Sequence, residues 1–136
     1  MARWSSWRKL EGPDDLNALT GRYGVYRIRV VKRTGKPIPI QRMGECDDQG
    51  LIYFGQGNLK NRVGGFWNWN TKGSDYYWRM WKHLEEKYPG HRLEFSGSQR
   101  DVHAMQKSER SALNQYLKTF WELPPCNSSM PREQME

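Results

Sequence analysis

Arg62 and Glu109 are the two charged residues whose spacing could do chemistry. Arg62 falls among Leu59, Val63 and Phe66 at the i, i+3, i+4, i+7 spacing of one helical face. Glu109 stands between Met105 and Ala112 on the stripe Val102, Met105, Ala112, Leu113, Tyr116, Leu117 and Phe120. A guanidinium or carboxylate aimed at apolar neighbours is costly to bury alone, so each calls for an opposite charge, a phosphate or a metal ion nearby. Tyr26 and Tyr53 sit beside glycines at the ends of apolar runs, where two phenols could share a cleft and carry protons. Guanidinium, carboxylate and phenols make a set suited to cleaving a phosphodiester. The plainer alternative is a buried Arg62–Glu109 ion pair in a structural or protein-interaction domain.

These residues need elements to position them. The run 50–67 reads as strand, glycine turn and helix, with Asn58 at the place of a helix N-cap. Residues 24–31 alternate, Tyr26, Ile28 and Val30 on one face and Arg27 and Arg29 on the other, as in a half-buried strand. Between the two strands, 32–49 carries Gly35, Pro37, Pro39 and Gly44 and reads as a long excursion; its Asp47-Asp48 pair suits turns better than a metal. Tyr77, Met80, Trp81, Leu84 and Tyr88 mark a second helix, stopped by Pro89-Gly90. A third strand follows around Leu93 and Phe95. A long helix then begins near Asp101 and runs up to Pro124-Pro125. The expected fold is α+β, with residues 1–21 as a loosely packed lead-in, one domain over 22–127 and a polar tail over 128–136.

Composition points to a partner. The 136 residues hold 22 Lys+Arg against 15 Asp+Glu, a net charge of +7, which favours a polyanion, DNA first with RNA also open. Lys60, Lys72, Arg79 and Arg42, with Trp69 in a polar loop, are the expected nucleic-acid contacts. No run approaches the ~20 apolar residues of a membrane span, so no membrane partner and a cytoplasmic location are expected. Cys46 and Cys126 are far apart, and His83, His91 and His103 lack ligand spacing, so neither a disulfide nor a zinc site is indicated.

Taken in order, Gly24-Val25-Tyr26, Tyr53-Phe54-Gly55, Arg62, Glu109 and Asn127 after Pro124-Pro125 resemble the motifs of the GIY-YIG nucleases over nearly the whole of 22–127. The resemblance implies a small three-stranded antiparallel sheet flanked by helices, in the order β-β-α-α-β-α, and a metal-dependent DNA endonuclease. It makes Tyr26 and Tyr53 the motif tyrosines, Arg62 the phosphate-contacting arginine, Glu109 the metal ligand and Asn127 the motif asparagine. Mg²⁺, with Mn²⁺ as the alternative, is the expected cofactor, since a hard ion suits a lone carboxylate, phosphate oxygens and water. Three departures stand out. Residues 32–49 look like an insertion and suggest a DNA-contacting arm. Phe66 stands where many members have histidine or tyrosine, and Gln56 where some have lysine. They leave open a nucleic-acid-binding module of the same fold that has lost cleavage.

Overall fold

Residues 4–67 and 72–127 are described by the computed structural model, excluding the side chains of 72–79. The alternating segment around Ile28 becomes the central strand β2 (Tyr23–Val31), since both its faces find cover: Ile28 and Val30 are buried on one, Val25 and Val31 on the other. The other strands are β1 (Arg8–Leu10), β3 (Ile40–Gln41), β4 (Cys46–Asp47), β5 (Leu51–Asn58) and β6 (Arg92–Gln99). The helices are α1 (Leu59–Trp67), α2 (Lys72–Lys87) and α3 (Met105–Phe120), with a 3₁₀ helix over Pro13–Leu19. The main sheet is antiparallel in the order β1-β6-β2-β5, and β3 pairs with β4 in a separate ribbon.

The fold is α+β, but the main sheet has four strands where three were expected. The additional strand comes from the segment read as a lead-in. Arg8, Lys9 and Leu10 pair with Phe95, Glu94 and Leu93 of β6, and Leu10 and Leu16 are core residues. Three residues of strand show no period of their own; pairing with β6 creates them.

A bulge in β5 decides which side chains meet. Ile28 pairs with Tyr53 and Arg29 with Leu51, so Ile52 is the extra residue. Tyr53 and Ile52 therefore join the core under α1 and α2, with Tyr26, Leu59, Val63 and Phe66, while Leu51 and Phe54 join Leu113 and Tyr116 of α3 on the opposite face. Asn58 caps α1 as expected, its Oδ1 accepting from the Asn61 N–H at 3.2 Å. Asp101 instead holds a turn, its Oδ1 accepting from His103 and Ala104 N–H at 2.9 and 3.0 Å, and α3 starts four residues later. Val102 is consequently outside the helix and 62% exposed, not part of the apolar stripe.

The 32–49 excursion is not a free arm. Ile38 and Asp47 are each 1% exposed. Asp47 accepts from the Gln49 and Leu51 N–H groups and, at 2.8 Å, from the Tyr116 hydroxyl, which ties the excursion to α3. At its far end Met43 N–H donates to Glu122 and Gly44 N–H to the Phe120 carbonyl, closing over the C-terminus of α3.

Candidate active site

Strands β2 and β5 bring the two motif tyrosines together. Tyr26 pairs with Gly55 and Tyr53 with Ile28, and their rings lie 5.9 Å apart, tilted by 42°. A Cβ on Gly55 would lie inside the Tyr26 phenol, so only glycine lets that ring cross β5. Tyr26 is buried, and Tyr53 is half-buried against Phe66, ring to ring at 5.1 Å. Phe66 thus fills apolar space beside Tyr53 and offers no proton.

Arg62 is not buried, contrary to the inward placement expected from its spacing. Leu59, Val63 and Phe66 take the core side of α1, and Arg62 is left exposed on the flank of that stripe. Its side chain lies back across the end of β5, where Gly57 has φ 129°, a conformation that favours glycine, and a Cβ there would meet Arg62 Nε at 3.0 Å. Glu109, in the second turn of α3, is half-buried. Arg62 and Glu109 do not come within 4.0 Å, so the buried ion pair of the structural alternative is not formed.

The four groups form one electrostatic unit. Burial raises the Glu109 carboxyl to about 7, a rise that Arg62 only partly opposes. Burial also raises Tyr26 well above the ordinary phenol value, helped by Tyr53 and Glu109 and opposed by Arg62. Tyr53 is raised by burial and by Glu109, and lowered by its hydrogen bond with Tyr26 and by Arg62. Among the described residues the cleft thus carries a carboxylate without a cation within 4.0 Å, a guanidinium on the rim, and two phenols whose ionisation burial opposes.

Asn127 has a definite place. Its Oδ1 accepts from Phe54 N–H and its Nδ2 donates to the Phe54 carbonyl, both at 3.0 Å, while Cys126 N–H donates to the Ile52 carbonyl at 2.8 Å. An amide side chain is matched to one backbone residue of the sheet's edge strand, between Tyr53 and Gly55. It closes an edge that would otherwise be open and fixes the backbone carrying Tyr53.

The expected nucleic-acid contacts fare unevenly. Lys60 is half-buried in the first turn of α1. Arg42 is engaged elsewhere: Nη2 donates to Glu122 at 3.1 Å and to the Leu123 carbonyl at 2.7 Å, so it fastens the excursion to the end of α3. Trp69 lies outside the described residues, as do the side chains of Lys72 and Arg79. Among the described residues no three His, Cys, Asp or Glu side chains gather into a metal cluster.

The polar side of β2 holds what the sequence reading missed. The Arg27 guanidinium lies 4.5 Å from the ring centroids of both Trp4 and Trp7, and Arg29 lies 4.2 Å from that of Trp7 and pairs with Glu94. The signal was two tryptophans three residues apart and two arginines on one strand face. Set against protein-family models, curated proteins and solved structures, the chain gives no match.

Proposed function

We propose that the chain is a metal-dependent endonuclease that hydrolyses phosphodiester bonds of DNA, the activity implied by its resemblance to GIY-YIG nucleases. The observation that carries this reading is the half-buried Glu109, with no described cation within 4.0 Å, coupled electrostatically to two adjacent phenols and to an exposed arginine that no described carboxylate pairs with. A lone carboxylate raised to about 7 fits a hard divalent ion that takes its other ligands from phosphate and water. Mg²⁺ or Mn²⁺ held by Glu109 would stabilise the leaving oxygen and favour ionisation of a nearby phenol. Arg62, on the rim, offers a planar fork to the non-bridging oxygens of the scissile phosphate and offsets charge that builds during attack. Tyr53 is the better proton acceptor, since it is less buried than Tyr26 and burial opposes its ionisation less. Asn127 keeps Tyr53 in register through the β5 backbone.

Supercoiled plasmid incubated with the protein in Mg²⁺ and in EDTA tests the reading. Nicking in Mg²⁺ only is expected, with Arg62→Lys and Glu109→Gln slower by roughly 10² or more. Cleavage that persists in EDTA, or none with any divalent ion, refutes it. A second reading, a DNA-binding module without cleavage, is favoured by Phe66, which packs on Tyr53 where a proton carrier could stand. Salt-dependent DNA binding without nicking would select it.

A further inference from the structure

On the sheet face opposite the tyrosines, α3 and the N-terminal segment enclose a groove of about 690 Å³ that the proposed reaction does not use. Its size is that of a small-molecule site. Among the described lining residues Arg27, Arg100 and Lys107 are cations and none is an aspartate or glutamate, so these walls carry three positive charges with no described carboxylate among them. The apolar walls are aromatic, Trp4 and Phe120 among them. Along α3, Ser108, Ser111, Gln115 and Thr119 recur every three to four residues and give the groove a hydrogen-bonding side.

Arg27 is the unusual member. Its neighbour Arg29 has Glu94, but no described residue accepts a hydrogen bond from Arg27, and its Nε is buried with none. Trp4 and Trp7 hold the cation by their ring faces alone. Burial and Arg29 lower the guanidinium to about 10, as expected for a cation kept partly dry beside another cation. Buried polar atoms in folded proteins are nearly always partnered, so Arg27 Nε is open to an acceptor from solvent or from a ligand in the groove.

We propose that this groove takes one unpaired nucleotide of a DNA strand, its base against the aromatic wall and its phosphate at Arg27, Arg100 and Lys107. An acidic peptide would use the cations and leave the aromatic wall idle; inorganic phosphate would use neither the wall nor the volume. Stacking on aromatic side chains with cations along the backbone is how single strands are held without sequence preference. Lys107 and Ser108 directly precede Glu109 on α3, so one helix carries both the groove and the carboxylate. Resting on the nuclease reading to that extent, the inference makes the substrate a DNA with a single-stranded segment beside the cut.

The test is binding of 3′-fluorescein-labelled decathymidylate to the full chain in EDTA, followed by anisotropy. Ser111→Glu and Lys107→Glu each place a carboxylate in the groove at an exposed position. Each is expected to weaken binding about tenfold or more. Asn114→Glu, exposed on α3 and outside the groove, changes net charge as Ser111→Glu does and by half as much as Lys107→Glu, and is expected to stay within about twofold of the parent. Melting by circular dichroism checks that all three variants fold, and the two groove variants stand in for one another. Free thymidine monophosphate, phosphate and an oligoglutamate should each displace the strand only at far higher concentration. Strand binding unchanged in both groove variants, an equal loss in Asn114→Glu, or displacement by any competitor at matching concentration overturns the proposal. Plasmid nicking by the parent distinguishes the two readings. Nicking with strand binding unchanged in the groove variants removes the groove and keeps the nuclease. Selective loss of strand binding without any nicking does the reverse.

Discussion

Glu109→Gln is expected to raise the melting temperature of the cation-free protein above neutral pH, where loss of an ion-pair partner would lower it. Burial lifts the carboxyl from 4.5 to about 7, so the folded protein holds that proton more tightly than the unfolded chain does. The stability this contributes is fully present below about pH 4.5 and is lost as the pH rises through about 7. At about 1.4 kcal/mol for each tenfold change in proton affinity, the rise corresponds to about 3 kcal/mol. Glu109 keeps contact with solvent, and discounting for that leaves about 1–1.5 kcal/mol. In a chain of 136 residues this is a difference in Tm of about 3–7 °C. Melting followed from about pH 5 to 9 in EDTA should show parent and variant converging at the acid end and the variant higher at the alkaline end. Adding Mg²⁺ about tenfold above its dissociation constant should then stabilise the parent by about 1.4 kcal/mol and leave the variant where it was. A variant that melts below the parent at pH 8.5 in EDTA would refute the unpaired carboxylate. An equal response of both proteins to Mg²⁺ would take the ion away from Glu109.

Asn127→Ala should cost about 1–2 kcal/mol through its two hydrogen bonds to Phe54 and speed hydrogen exchange at the Phe54 amide, measured by NMR. An unchanged exchange rate would mean that the latch is not closed in solution. Gly55→Ala should destabilise by about 1–3 kcal/mol by driving a methyl into the Tyr26 ring; with Tyr26→Leu in the same chain, denaturant titration should find less than the sum of the two. Arg42→Ala should lower stability by about 1.5–3 kcal/mol, since it removes charged hydrogen bonds at the end of α3, while DNA affinity measured by anisotropy stays within about twofold. A large loss of affinity with unchanged stability would restore Arg42 as a DNA contact.

Local chemistry was legible and long-range pairing was not. The alternation of Tyr26, Ile28 and Val30 marked β2 because both periodicity and burial reside in consecutive residues, and Asn58 marked the start of α1 because a cap acts within one turn. The period-2 pattern of β5 is broken by the bulge at Ile52, whose existence depends on the register against β2; nothing in Leu51-Ile52-Tyr53-Phe54 reveals which residue is extra. Arg62 was misplaced because helical spacing gives an angle around α1 and not the width of the core stripe, which ends before it. The anchoring bonds of Arg42 could not be read locally because its partners, Glu122 and Leu123, stand 80 and 81 residues away. For the candidate site, Tyr26, Tyr53, Glu109 and Asn127 were named from motif order, whereas the relation of Asn127 to β5 required coordinates.

The Asn127 latch also bears on when the protein becomes whole. It joins positions 73 residues apart, so it closes a long loop and adds little to any early, locally built nucleus. The central strands can pair before it; β5 then waits with one edge bare. In a nascent chain that has not yet yielded Asn127, that edge is open to strands of neighbouring chains. Assembly on the ribosome would therefore gate the site by length, with Tyr53 held in place only after the latch has emerged. Pulse-labelled exchange during refolding should accordingly find the Phe54 amide protected later than the amides of β2, and simultaneous protection would place the latch in the nucleus instead.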